Sequence, residues 1–343
     1  MRRREQRVRV VVTGASGNVG SALLRELGSR GHDIVAVARR VPEATETEQG
    51  SIEWHAADVA DDRLDAVLEG CDAFVHLAWM FQPTHDPDTT WEANAVGTRR
   101  VLQSAARSRV PVVVVASSVG AYSPAVDDHP VDEGWPTDGP SPAAYCREKA
   151  YVERLLDAFE AQRPDVRVVR MRPAFVFQRS AGSEQRRIFG APALRPWMLE
   201  RRILPVVPIP RGLRLQAVHA GDLARAYAEA VERPVHGAFN IAAADVLGQD
   251  ELGRILDART FEVPARLTRA VVEGAWRARL VGAPGDLFDA LLRLPVMSTA
   301  RARAELGWEP QHSAADALSA MVVGAREGAG SGLPPLQPDS RFP

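Results

Sequence analysis

Hydrophobic and polar positions in the first half of the chain follow two periods in turn. Val8 to Val12, Ile34 to Ala38, Ile52 to Ala56, Ala73 to Leu77 and Val112 to Ala116 are short runs, largely apolar and rich in β-branched residues, as in strands covered on both faces. Between them apolar residues recur three and four apart. Ala22, Leu23, Leu24 and Leu27 mark one helix, Leu64 to Leu68 a short one, and Thr89 to Ser108 a long one. A second long helix is predicted from Pro142 to Gln162, with Ser141 as its cap, Pro142 at its first position, and Val152, Leu155, Leu156 and Phe159 on its buried face. Strand and helix alternating in this way predict an α/β fold, a Rossmann-type doubly wound parallel sheet.

Past residue 178 the alternation fades. Leu204-Pro-Val-Val-Pro-Ile-Pro210 fits only edge or extended structure, because proline cannot donate to a sheet ladder. Phe239-Asn-Ile241 reads as a return to the sheet. The expected organisation is a sheet domain over 1–178 with 215–245 returning to it, and a smaller C-terminal substrate-binding lobe from 179–214 and 246–327. A flexible tail over 328–343, rich in Gly, Pro and Ser, is expected to be mobile or draped on the surface. No internal repeat is visible.

Composition narrows the function classes. The chain has 343 residues, 45% of them hydrophobic and 25% charged, with a formal net charge of -2. That balance gives no electrostatic reason to bind nucleic acid or an anionic membrane. The arginines of the first seven residues are followed by no apolar signal region, and no run reaches the length of a membrane span, so a cytoplasmic location is expected. Cys71 and Cys146 have neither metal-ligand spacing nor a disulfide framework. They read as free thiols, and no metal is expected.

Candidate chemistry begins at Thr13-Gly14-Ala-Ser16-Gly17-Asn18-Val19-Gly20, between the first strand and the first helix. Glycines there permit a tight turn and let backbone approach a pyrophosphate, while the helix N-terminus supplies amides, so dinucleotide binding is expected. About 20 residues on, where an acid would hold the ribose hydroxyls of NAD, the chain has Arg39 and Arg40; NADP(H) is therefore favoured over NAD(H). Asp58 follows a strand and fits either a capping role or an adenine contact.

Lys149 is the only lysine among 42 lysines and arginines. Four residues earlier stands Tyr145, which a helix would place on the same face, where an ammonium lowers a phenol's pKa toward the working range of an acid or base.

Taken in order, these pieces resemble the extended short-chain dehydrogenase/reductase family, the NAD(P)-dependent epimerases, dehydratases and related ketone reductases, over nearly the whole chain. The resemblance rests on the glycine turn, Asp58-Val59, His76-Leu77-Ala78, Asn94 in Asn-Ala-Val-Gly-Thr, Ser117-Ser118 before Tyr122, Tyr145 with Lys149, Arg172-Pro173, Gln216 to His219 with Asp222, and Glu305-Leu-Gly-Trp-Glu-Pro310. It implies that Ser118, Tyr145, Lys149 and Asn94 are catalytic. It also implies a cofactor held by Gly14, Ser16 to Gly20, Arg39, Arg40, Asp58, Val59, Leu77, Ala78, Trp79, Asn94, Ser117, Tyr145, Lys149, Pro173, Phe175 and Val176. A homodimer through the two long helices is a further implication. Asp222 is expected to cap the helix Leu223 to Val231, and His219 to pack or hydrogen-bond structurally.

Departures from the family pattern shape the expected function. Val119-Gly120 stands where dehydratases carry Asp-Glu, which disfavours a sugar dehydratase, and the apolar Met171 to Gln178 lacks the asparagine common in sugar-nucleotide enzymes. Trp79, Met80 and Phe81 either pack in the core or line the substrate pocket; Ser118, Val119 and Tyr145 are the other expected substrate contacts. Arg179, Arg186, Arg187, Arg195, Arg201 and Arg202 read mostly as solvated helix residues, with anion binding as the alternative. The leading expectation is hydride transfer at a carbonyl or secondary alcohol of a small, moderately apolar metabolite. A nucleotide-sugar 4-epimerase with retained cofactor is the alternative, and a non-catalytic NADP-sensing protein is the alternative of another class.

Overall fold

The computed structural model describes residues 7–42, 46–47, 50–61, 63–82, 84–140, 142–189 and 205–339. Strand β1 (Arg9–Thr13) leads into helix α1 (Asn18–Ser29), and β2 (Asp33–Ala38), β3 (Glu53–Ala56) and β4 (Ala73–His76) follow. Helix α2 runs through Pro87–Trp91, a π turn at Glu92–Val96, and Gly97–Arg107. Then come β5 (Val112–Ala116), α3 (Ala144–Gln162), β6 (Arg167–Pro173), β7 (Phe175–Phe177), α4 (Gly182–Phe189), β8 (Val206–Pro210), β9 (Leu215–His219), α5 (Ala220–Glu232) and β10 (Gly237–Ile241). The remaining elements are β11 (Val246–Leu247), α6 (Gln249–Leu256), β12 (Arg259–Val263), α7 (Ala265–Arg277), α8 (Gly285–Leu291) and α9 (Ala314–Glu327).

Seven strands form one parallel sheet in the order β10-β6-β5-β4-β1-β2-β3. Val10, Val11 and Val12 are wholly buried because helices cover both faces. On one face Leu23 and Leu27 of α1 meet Leu223 and Tyr227 of α5, together with Leu306 and Trp308. On the other, Val101 and Leu102 of α2 meet Val152 and Leu156 of α3. The sheet reverses its strand order at β1 and β4, and the crevice beyond their C-terminal ends is where such folds take ligands.

The lobe is built from β7, β9 and β11, from the parallel pair β8 and β12, and from α4 and α6 to α9. Val206–Pro210 is a strand with a single partner, as its prolines require; Leu204 lies outside the described residues.

Two expectations change here. Helix α3 starts at Ala144, with Ala143 rather than a serine at its cap. Pro142 stands before it, in a turn that Ala143 closes by donating to the Pro140 carbonyl, and Ser141 lies outside the described residues. At α5 the roles of His219 and Asp222 are reversed. His219 Nδ1 accepts from the Gly221 amide and caps the helix, while Asp222, fully buried inside the first turn, accepts from the amides of Gln311 and His312 and so ties down the C-terminal segment.

As far as Asp339 the tail lies against the protein. Leu336 is buried, Arg187 donates to the carbonyls of Pro335 and Gln337, and Asp339 pairs with Arg186 at 2.8 Å and Arg187 at 3.1 Å. Arg186 and Arg187 are thus ion-paired, not solvated, and Arg179 pairs with Glu327. Arg195, Arg201 and Arg202 lie outside the described residues. Cys71 and Cys146 are buried and free.

Candidate active site

The glycine turn is fixed by close backbone approach. Gly14 has φ +69°, and a Cβ on it would fall 2.6 Å from the Ala78 amide nitrogen; a Cβ on Gly20 would fall 2.3 Å from the Gly14 carbonyl oxygen. Only glycine lets β1 pass against the end of β4 and lets α1 start so tightly. No side chain caps α1 at Gly17, so its first amides stay available to a ligand at the positive end of the helix dipole.

The turn opens on a cleft of about 460 Å³ lined by Gly14, Ser16, Gly17, Asn18, Val19, Gly20, Arg39, Asp58, Val59, Leu77, Ala78, Trp79, Met80 and Asn94. Arg40 is exposed and outside that lining. Asp58 Oδ1 accepts from the Ala60 amide at 3.0 Å, so it organises its own turn while also facing the cleft.

Beneath the cleft, His76 joins β1 to α2. Thr98 Oγ1 donates to the Asn94 carbonyl, so it accepts from His76 Nε2, and His76 Nδ1 accepts from Thr13 Oγ1 at 2.7 Å. Burial, reinforced by Lys149, pulls the imidazole down to about 3, which keeps it neutral, as this bonding pattern requires.

Asn94 is fully engaged. Its Oδ1 accepts from the Met80 amide at 2.7 Å, and its Nδ2 donates to the Met80 carbonyl and to Glu148 Oε2 at 2.7 Å each. Among the described contacts its amide clamps the segment carrying Trp79 and Phe81, and Glu148, itself held by Thr90 at 2.6 Å, braces the clamp.

Ser118 and Tyr145 come together at Gly120 and line one cavity. Ser118 Oγ also accepts from the Gly120 amide at 3.0 Å. A Cβ on Gly120 would come within 2.8 Å of the Tyr145 ring, so this glycine is what admits the tyrosine to the serine. Lys149 donates to the Ala116 carbonyl at 2.8 Å and lies 3.3 Å from the centre of the Trp79 ring.

The expectation that Lys149 lowers the Tyr145 pKa is corrected. Burial raises the phenol, with the Ser118 hydrogen bond opposing, and Lys149 itself is pulled down to about 7. Desolvation exceeds the cation's influence here because the ammonium is turned to a carbonyl and an indole, 5.9 Å from the tyrosine ring centre.

One turn beyond Lys149, Glu153 is wholly buried. Ser117 Oγ donates to it at 2.5 Å, Arg172 Nε and Nη2 at 2.8 and 2.9 Å, and Arg170 at 3.0 Å. Arg172 also reaches the Tyr122 hydroxyl at 2.9 Å, which donates onward to Asn240 on β10. This charged cluster anchors the strand end that carries Ser117 and Ser118.

A second cavity, of about 500 Å³, adjoins the cleft and shares Val19, Leu77, Trp79, Phe81 and Phe189 with it. Ser117, Ser118, Val119, Tyr145, Lys149, Pro173, Phe175 and Val176 line it, so the last three of these expected cofactor contacts face this cavity and not the glycine turn. Trp79 and Phe81 are cavity walls, whereas Met80 faces the cleft and a smaller recess. Sequence reasoning missed Gly120, Glu153, Glu184 and the lobe's contribution of Phe189, Leu287, Phe288 and Leu291. The only advance signal was the i,i+4 spacing of Glu153 from Lys149 and the apolar spacing in Leu287 to Leu292.

A doubly wound parallel sheet with a glycine turn at its switch point, and a serine, tyrosine and lysine set where its cleft meets an apolar cavity, defines a dinucleotide-binding fold of the extended dehydrogenase/reductase type. Residues 10–242 match the NAD dependent epimerase/dehydratase family, and the chain belongs to that family. It is 34% identical to cinnamoyl-CoA reductase 2 of Arabidopsis thaliana over 33% of this chain and 36% of that protein. The chain spans about a third of the length of the curated relatives it matches.

Two solved structures share the fold. UDP-glucose 4-epimerase from Thermotoga maritima, with UDP-glucose, is 19% identical over 93% of this chain and 98% of that one, with a TM-score of 0.69. MoeE5, in complex with UDP-glucuronic acid and NAD, is 23% identical over 92% and 98%, with a TM-score of 0.66. Among the described residues no helix is long and apolar enough to cross a membrane.

Proposed function

We propose that the chain is an NADP(H)-preferring oxidoreductase acting on a carbonyl or secondary alcohol. The observation that carries this reading is that Ser118 and Tyr145, side by side at Gly120, line an apolar cavity that opens beside the glycine-turn cleft. The cleft fits a dinucleotide: its turn admits no side chain at Gly14 or Gly20, and the uncapped α1 supplies amides for a pyrophosphate. When bound, the nicotinamide supplies or accepts a hydride. Gly14 to Gly20 would hold the pyrophosphate, Asp58 and Val59 the adenine side, and Arg39 a 2′-phosphate.

Tyr145, kept protonated by burial, donates its proton to the substrate oxygen during reduction, and Ser118 donates a second hydrogen bond to the same oxygen.

Denaturing the purified protein and identifying any released cofactor separates the two readings. Tightly retained NAD would overturn the proposal in favour of a 4-epimerase. Protein without cofactor that turns over a carbonyl substrate with added NADPH supports it and excludes a purely sensing role. Arg39→Ala is expected to raise the dissociation constant of NADPH by at least about tenfold, the worth of one charge-assisted hydrogen bond, and to leave that of NADH unchanged. Equal losses for both cofactors in a fluorescence titration would refute the assignment of Arg39.

Glu184 gives this cofactor reading a pH signature. It lines the same cleft, and burial pushes its carboxyl up to about 7 against the opposing charge of Arg187. Below pH 7 it is neutral; above, it is an anion beside the anionic cofactor. NADPH affinity is therefore expected to fall as pH rises from 6 to 8, by at most about tenfold per pH unit, and Glu184→Gln should flatten the curve. A wild-type titration without slope across that window would contradict this.

Trp91 and Tyr151, on α2 and α3, pack with their rings tilted and their centroids 4.7 Å apart, and are each 38% exposed. They form the face that a second copy would cover in a homodimer, a state that sedimentation velocity reads directly.

A further inference from the structure

We infer that the substrate of this site is an uncharged ketone carried on a ring system, or the matching secondary alcohol, whose body is hydrocarbon or aromatic and whose only polar atom in the cavity is the reacting oxygen. This rests on the oxidoreductase reading and adds the chemical class of the substrate. The polarity of the 500 Å³ cavity is segregated. Its hydroxyl and ammonium groups are Ser117, Ser118, Tyr145 and Lys149, where β5 meets α3, and Tyr227 of α5. Ser117 is turned to Glu153 and Lys149 to the Ala116 carbonyl, which leaves Ser118, Tyr145 and Tyr227 as the hydroxyls that can meet a substrate oxygen.

The lobe adds only apolar side chains to the lining: Val272 of α7, Val281, and Leu287, Phe288 and Leu291 of α8, with Leu294 beyond. None of these can pair with an anion. Lys149 is the only charged side chain among the described residues lining the cavity. A carboxylate, phosphate or diphosphate seated against α8 would lose its hydration with nothing in exchange.

Aromatic rings meanwhile form a continuous wall out from the catalytic pair. Trp79 meets Tyr145 edge-on at 5.8 Å, Phe81 lies 5.8 Å from Tyr145, and Phe189 lies 4.9 Å from Phe81. Flat ring systems gain most from such a wall, through offset or edge contacts. The nucleotide part of a sugar nucleotide would need polar partners that this wall does not supply.

The test separates binding from turnover. Tyr145→Phe protein saturated with NADPH is titrated calorimetrically with three uncharged ketones (2-acetylnaphthalene, 1-tetralone and cyclohexyl phenyl ketone), with 6-acetyl-2-naphthoate, and with UDP-glucose. At least one uncharged ketone is expected to bind roughly a hundredfold more tightly than the naphthoate, and UDP-glucose not to bind. In Leu291→Arg on the same background the preference for the uncharged naphthyl ketone over the naphthoate should narrow or invert.

Tighter binding of the naphthoate or of UDP-glucose than of every uncharged ketone would overturn the inference, as would binding of none of the ketones. Ketone binding without turnover by the wild-type enzyme, with either nicotinamide cofactor, would instead remove the oxidoreductase reading and leave the cavity assignment standing.

Discussion

Tyr145→Phe is expected to lower kcat/KM by about 10³-fold while leaving the NADPH dissociation constant nearly unchanged. The substitution removes one oxygen from a packed ring, so Trp79 and Phe81 keep their contacts and Gly120 still abuts the ring edge. What disappears is the proton donor and the partner of Ser118. The loss should appear in kcat, because the cavity walls that bind the substrate body are untouched. Steady-state kinetics beside a cofactor titration check it; a variant with wild-type kcat would remove Tyr145 from the chemistry and with it the proposed function.

The largest expected effect on stability lies at Glu153. Removing its carboxylate in Glu153→Ala leaves Arg172 buried with its principal counter-charge gone and Ser117 without an acceptor, at a cost of about 3–5 kcal/mol in urea unfolding. Replacing both partners, as Glu153→Leu with Arg172→Met, should recover most of that loss, since the cost of an unpaired buried charge vanishes with the charge.

The pH dependence has a definite sign. The arginines and Ser117 hold the Glu153 carboxyl down at about 2, below the roughly 4.3 of an unfolded glutamate. Its contribution is therefore complete above about pH 4.3 and is lost as pH falls toward 2. A single variant as stable as wild type at pH 7 would show that the cluster contributes nothing.

The central sheet was legible because β1, β4 and β5 are apolar at consecutive positions, a pattern that only a strand covered on both faces requires. Tyr145, Lys149 and the glycine turn were legible because their chemistry is local, four residues apart or within one loop. Contacts across the chain were not. Nothing in the spacing of Asn94 said that its amide would be spent on Met80, 14 residues away, and nothing near Lys149 announced that an indole from the end of β4 would lie over it. The cavity wall on α8 lies more than a hundred residues beyond Tyr145 and takes its meaning only from the packing of the lobe. Even the start of α3 was misread locally, because Pro142 suits the turn before a helix as well as its first residue.

Helix α1 is finished by residues that follow it by some two hundred positions or more. Leu23 and Leu27 of α1 are buried against Leu223 and Tyr227, and the same core closes with Leu306 and Trp308. During synthesis the apolar side of α1 therefore stays uncovered until α5 has left the ribosome, and it is sealed only when Trp308, whose indole donates to the Asp222 carbonyl, arrives. The nascent chain must carry a sticky, half-built sheet through most of its translation, so a fragment ending before about residue 230 should depend on a chaperone to remain in solution.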